Sequence, residues 1–277
     1  MKNILVPTDF SDCAKVAEEI GFEIAKKANA EIHFLHLLAT PTDWVKLSLE
    51  KEELYPETKA KIGTAKNELN ELKKRAEKAG IISKEFLVFD KGKVEILDHI
   101  EHHQHDFIIM GSHGAHGAKE ILGSNTQKVI RNAKVPVLVL KDEPAKFEVN
   151  NIVFASTFQE DVHLSFEKVI AFAELMDAQI HLLNVNMPFN FQESDEAEAN
   201  MQAFRDKCPR DNCTINIYNA LNEERGIQKF ADKIKADVIA MTTHGRSGFM
   251  KMLSPSITES LVNHSSFPIL SVNIHVK

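Results

Sequence analysis

Short apolar runs alternate with amphipathic stretches along the whole chain. In the first half the runs are Ile4–Val6, Ile32–Leu38, Phe86–Phe89, Phe107–Met110 and Val135–Leu140. Between the first two, Cys13, Val16, Ala17, Ile20, Ile24 and Ala28 fall at helical spacing and form one apolar stripe. The stretches 57–79, 93–104 and 124–133 also read as helices. In the second half Ile152–Ala155, Ile180–Val185, Thr214–Tyr218, Val238–Met241 and Ile269–Val272 read as strands with helices between them. Strands separated by helices predict an α/β fold: right-handed crossovers and a parallel sheet covered on both faces.

The second half repeats the first. Asn3-Ile4-Leu5-Val6-Pro7-Thr8-Asp9-Phe10-Ser11 returns as Asn151-Ile152-Val153-Phe154-Ala155-Ser156-Thr157-Phe158-Gln159. Met110-Gly111-Ser112-His113-Gly114 returns as Met241-Thr242-Thr243-His244-Gly245, and Val135-Pro136-Val137-Leu138 as Phe267-Pro268-Ile269-Leu270. The offset is 148 from Asn3 to Asn151 and from His33 to His181, but 131 from Asp106 to Asp237 and from His113 to His244. The difference, 148 less 131, puts 17 extra residues in the first half, around 41–80. From Ser124 to Ser256 and from Pro136 to Pro268 the offset is 132, so the first half's loop before Ser124 is one residue shorter than its counterpart. Asp142-Glu143-Pro144 breaks the pattern and marks a linker, giving domains 1–144 and 145–277.

A chain of 277 residues suits two such domains. Its net charge of −7 argues against a nucleic-acid partner, which needs a basic footprint. No apolar run is long enough to span a membrane, and Met1-Lys2-Asn3-Ile4 is not a leader of basic then apolar residues. Three cysteines make no disulfide framework, which suits a reducing compartment and a cytoplasmic location.

Ligands of open parallel sheets collect at the carboxyl ends of strands, where the winding direction switches. Asp9, Leu37 and the stretch from Gly111 to Ser124 are expected there. Gly123-Ser124 opens a helix whose N–H groups and dipole favour phosphate, with the Ser124 and Thr126 hydroxyls as further donors. Asp9 offers an acceptor to an exocyclic amine, so the set matches an adenine nucleotide. The alternatives for each piece are plain: Asp9 as a helix cap, the glycines as turn residues, Ser124 as an N-cap. Asp9, Gly111 and Gly123 become Thr157, Thr242 and Pro255 in the second copy, which keeps its strands. That loss favours a ligand role in the first.

Taken together, these motifs resemble a tandem universal stress protein over essentially the whole chain. The resemblance implies five-stranded parallel sheets in the order 3-2-1-4-5 with helices on both faces. It also implies that the halves pair through their last strands as an internal pseudo-dimer, with a homodimer of chains also open. Many members of that family bind ATP. By match, Asp9 would contact adenine and Leu37 line its pocket. Gly111 would sit by the ribose, and Gly114, Gly123, Ser124 and Asn125 would hold phosphates. Pro7, Thr8, Met110 and His113 flank them in the same motifs and complete the candidate set with Thr126. The family pattern has nine residues between its second and third glycines; Ala115 to Leu122 is eight. In the second half Pro255 has no N–H and would remove a phosphate donor.

Other constellations carry less. The run from Asp98 to Asp106 places His99 and His103 four apart, a metal-ligand spacing, but reads more simply as the solvated end of a helix. Cys208 and Cys213 lack a second ligand pair. His113 recurs as His244, which favours a hydrogen bond that fixes the loop. Trp44, Leu47, Leu49 and Leu54 either cover the nucleotide slot or, as the better reading, pack as ordinary structure. With no phosphate-loop lysine and no recognisable base, the expected function is not enzymatic. It is a stress-response protein that binds ATP or another adenine nucleotide, with or without Mg, and acts through a protein partner. The rivals are a scaffold that has lost nucleotide binding and a slow ATPase.

Overall fold

The computed structural model describes residues 1–90, 96–113, 122–141, 147–158, 162–189, 191–206, 213–243 and 257–274. Gly114, His244, Pro255, Cys208 and the expected boundary after residue 144 lie outside them. In the first half the order is β1 (Asn3–Pro7), α1 (Asp12–Ala28), β2 (Glu31–Ala39), α2 (Leu49–Glu52), α3 (Pro56–Lys78), β3 (Ser83–Asp90), α4 (Ile96–His102), β4 (Phe107–Gly111), α5 (Ser124–Asn132) and β5 (Val137–Leu140). The second half follows with β6 (Asn151–Ala155), α6 (His163–Met176), β7 (Gln179–Asn186), α7 (Ser194–Arg205), β8 (Cys213–Asn219), α8 (Glu223–Ile234), β9 (Val238–Thr243), α9 (Ile257–His264) and β10 (Ile269–Asn273).

The ten strands form one sheet in the order β3-β2-β1-β4-β5-β10-β9-β6-β7-β8. Each half is therefore 3-2-1-4-5 and internally parallel, and the halves meet through their last strands, β5 antiparallel to β10. Leu138 pairs with Leu270, two positions equivalent by the 132 offset, so a pseudo-twofold axis passes between them. The strands are apolar on consecutive residues because both sheet faces are covered. Ile4 and Val6 face the layer of α1, α3, α6 and α7, while Leu5 faces α4, α5, α8 and α9.

Local chemistry sets the helix ends. Ser11 caps α1 by accepting from Ala14 N, and Asn29 ends it in the left-handed conformation. The apolar stripe buries Val16, Ile20 and Ile24, each worth roughly 1.5–3 kcal/mol if fully removed from water. The 17 extra residues lie where the offsets place them. The first half has a 3-10 turn at Trp44–Lys46, α2 and the 23-residue α3, where the second has the 12-residue α7. Trp44 is buried against Tyr55 and Phe89, Leu47 is half-buried, and Leu49 and Leu54 are exposed. Among the described residues no helix is long and apolar enough to cross a membrane.

Candidate functional site

The winding direction switches between β1 and β4, neighbours in the sheet whose carboxyl ends carry Pro7 and Gly111. Asp9 follows one strand and the loop ending in Gly123 follows the other, so the two segments flank one crevice.

On the first side the chain turns at Phe10, which takes a left-handed φ of 62°. Such a conformation costs a bulky residue roughly 1–2 kcal/mol, and the neighbours hold it. Thr8 Oγ1 accepts from Phe10 N (2.9 Å) and donates to Glu18 Oε1. The Phe10 ring stacks on His36, whose Nδ1 lies 2.8 Å from Thr8 O. The second half repeats the turn: Phe158 has φ 57° and its N–H donates to Ser156 Oγ. Thr8 is thus a buried turn residue whose side chain is aimed at α1, which leaves its backbone to any ligand in the crevice. Asp9 is exposed, and its Oδ1 accepts from both Ser11 N (3.1 Å) and Ser11 Oγ (2.6 Å). The cap of α1 is Ser11; Asp9 braces it from the crevice side. Leu37, half-buried beyond the β1–β2 pairing, packs on the same core as Val88 and Leu122.

On the second side the Met110 side chain is buried under α4 and α5, which leaves its backbone at the crevice. Gly111 has a steric reason to be glycine. A Cβ there would come 2.8 Å from Cys13 Sγ and 3.1 Å from the Cys13 backbone. Thr242 occupies the equivalent place beside α6, which begins at His163, the counterpart of Lys15 rather than of Asp12. Ser112, absent from the sequence-derived set, anchors the loop: its N–H donates to Leu140 O (2.8 Å) and its carbonyl accepts from Gly123 N (2.9 Å). Its hydroxyl lies 2.9 Å from His113 Nδ1, the loop-fixing bond expected of that histidine. The retained hydroxyl at Thr243 was the available signal for it.

The Gly123 N–H therefore closes the loop, and the donor that proline removes in the second half is this one rather than a phosphate ligand. Thr126 Oγ1 likewise donates to Gly111 O (2.9 Å) and ties α5 to β4, so it is not a spare phosphate donor. At the α5 N-terminus Gly123 offers no side-chain cap, and Ser124 and Asn125 are exposed. Asp9, Leu37, Gly111, Gly123, Ser124 and Asn125 thus surround the crevice, with Pro7 and His113 half-buried at its base. The arrangement offers a carboxylate, an apolar wall and a helix end at which Gly123 supplies no side-chain cap. Ser112 is buried, so the Ser112–His113 pair presents no nucleophile. Among the described residues no group of three or more His, Cys, Asp or Glu side chains is placed to hold a metal ion.

Comparison with known proteins bears on the same halves. A sequence profile described as the universal stress protein family matches residues 1–141 and 220–273. Universal stress protein Slr1230 of Synechocystis is 26% identical over 302 aligned positions, covering 98% of this chain and 99% of its own. Universal stress protein MJ0577 of Methanocaldococcus jannaschii is 36% identical over 153 positions, half of this chain and 94% of its own length. A crystal structure of a universal stress protein from Archaeoglobus fulgidus superposes with a TM-score of 0.75 at 22% identity, covering 98% of both chains.

Proposed function

The chain belongs to the universal stress protein family, and from that premise we propose that it binds an adenine nucleotide in its first half. Binding there would alter contacts with a protein partner in the cytoplasm, without catalysis. One juxtaposition supports this reading: the exposed Asp9 follows β1 and the N-terminus of α5, where Gly123 supplies no side-chain cap, follows β4, on the two sides of the strand switch point. Adenine would meet Asp9 and Leu37. Phosphates would meet Ser124, Asn125 and the first-turn N–H groups of α5. The second half, with Thr157, Thr242 and Pro255 at the matching positions, is a retired copy of the site.

Titration of the nucleotide-stripped full chain with Mg-ATP in a calorimeter tests this. One site per chain, lost in Asp9→Ala, is the expected result. Two sites would overturn the reading of the second half, and no heat at millimolar nucleotide would overturn the reading of the first. A scaffold without nucleotide is the second reading, and a specific observation favours it: packing against Cys13 already accounts for Gly111, and loop closure accounts for the Gly123 N–H. Inserting one residue between Gly114 and Gly123 separates the two. A binding protein already shows affinity before the insertion; a scaffold shows it only afterwards.

A further inference from the structure

At the opposite end of the first half's sheet, four histidines from three segments meet: His33 on β2, His99 on α4, His103 just after α4, and His105 before β4. The His99 and His103 ring centroids are 4.3 Å apart, those of His33 and His105 4.8 Å, and those of His99 and His105 5.5 Å. Phe86 of β3 lies against His99 and His103, at 4.8 and 4.5 Å. His33, His99 and His105 are buried, and His99 Nε2 and His105 Nδ1 have no hydrogen-bond partner among the described residues.

The second half keeps His33 as His181 but shows that the fold does not need the other three. By the 131 offset His99, His103 and His105 correspond to Phe230, Ile234 and Ala236, and Phe230 and Ala236 are buried. The same helix-to-strand corner is built from apolar side chains there. We propose that the histidine cluster is an acid-sensitive latch, which holds α4 against β2 and β3 while neutral and releases it when protons enter.

The hydrogen bonds fix where protons can go. His33 Nε2 lies 2.8 Å from Glu31 Oε1 and so carries the proton; His33 Nδ1 then accepts from His105 Nε2–H at 2.8 Å. That leaves a bare lone pair on His105 Nδ1. A first proton can be shared through this chain with Glu31 as counter-ion. Glu31 is, however, already paired with Lys84 at 2.6 Å, and Lys84 opposes charge on His33 and His103. A further proton on His105 or His99 creates a buried cation that no carboxylate described at this corner is free to neutralise. The remaining charged groups at this corner do not neutralise it. Glu101 of α4 pairs with Lys134, and the Asp106 carboxylate accepts from Lys2 N and Asn3 N. Asp98 and His102 are exposed on α4, and Glu85 of β3 pairs with Lys73 of α3. Only the Ile100 carbonyl favours charge on His105.

Burial, with repulsion from the neighbouring imidazoles, accordingly lowers His99 to about 4 and His105 to about 3. In an opened or unfolded corner both return to about 6.5. The open state therefore binds more protons between these limits. The latch is at full strength above pH 6.5 and weakens as pH falls through that value. Opening gains roughly tenfold per pH unit for each histidine protonated only when open, about a hundredfold for both.

Native-state hydrogen exchange of the full chain, corrected for the intrinsic pH dependence of exchange, reads this directly. Between pH 6 and 5, α4 should lose protection steeply while α8, its counterpart in the second half, does not. The triple variant His99→Phe, His103→Ile, His105→Ala should abolish the difference. Equal responses of α4 and α8, or a wild-type profile in the variant, would overturn the proposal. If the variant fails to fold, imidazole titration of the wild type by NMR decides. His99 and His105 taking up protons near pH 6.5 with α4 still protected would overturn the latch; both staying neutral until α4 opens would support it.

Discussion

A Cβ at position 111 would strike Cys13, whereas one at position 123 meets nothing closer than 3.5 Å among the described residues and sits at an ordinary φ of −60°. Gly111→Ala should therefore destabilise the chain by about 1–3 kcal/mol through overpacking. Adding Cys13→Ala removes the nearest clashing atom and should recover part of that loss, read by urea denaturation of the single and double variants. Gly123→Ala should leave stability unchanged or raise it by up to about 1 kcal/mol, because the unfolded chain loses freedom while the folded one gains no clash. Any loss of nucleotide affinity in Gly123→Ala would then report a ligand contact rather than a fold defect. The sequence could not separate the two glycines, since spacing alone does not say which faces a helix backbone and which a cleft. Thr8 and Met110 mislead for a related reason. Both stand inside the motif, but Met110 lies in a strand covered on both faces and turns its side chain into a layer, while the Thr8 hydroxyl is taken up by the turn at Phe10 and by Glu18 of α1.

Among the elements, α1 was legible from its apolar stripe, yet the stripe leaves one position unexplained. Glu18 is buried within it, donor-bonded by Thr8, and its second-half counterpart is Phe166. Burial holds its carboxyl above the usual range. The folded state thus keeps the proton longer than the unfolded one, and this residue favours stability at acid pH and costs it as pH rises. Glu18→Gln should accordingly raise the melting temperature at pH 7.5, with the gain shrinking towards pH 4; a gain independent of pH would rule out the carboxylate as its source. For α4 the periodicity located the helix, but its polar residues concealed that His99 and His105 are buried. The apolar residues at the matching second-half positions, Phe230 and Ala236, carried that information. A repeat reports burial through whichever copy keeps the simpler chemistry.

On the scale of the molecule, the duplicated pattern implied two α/β halves with parallel sheets, the family resemblance implied the strand order and the pairing of last strands, and the structure reproduces both. The chemistry that locks the halves together was not legible, because it depends on which equivalent positions meet across the pseudo-twofold. Gln127 of α5 and Glu259 of α9 are such a pair and touch at 3.0 Å. Arg131 adds two bonds to the same carboxylate, while its own counterpart is Asn263, so the lock is asymmetric. Glu259 is almost fully buried, whereas the Arg131 side chain is 42% exposed. The two partners should therefore respond unequally to removal. Arg131→Met takes the cation away from a buried carboxylate, and should cost about 3 kcal/mol. Glu259→Met leaves a guanidinium that can turn to water, and should cost about 1 kcal/mol. The double variant should return close to wild type, because an apolar pair of similar volume replaces a desolvated charge pair without leaving either ion behind. Urea denaturation of the three variants checks the order. Equal losses in both single variants, or additive losses in the double, would mean that the ion pair does not act as a unit across the seam.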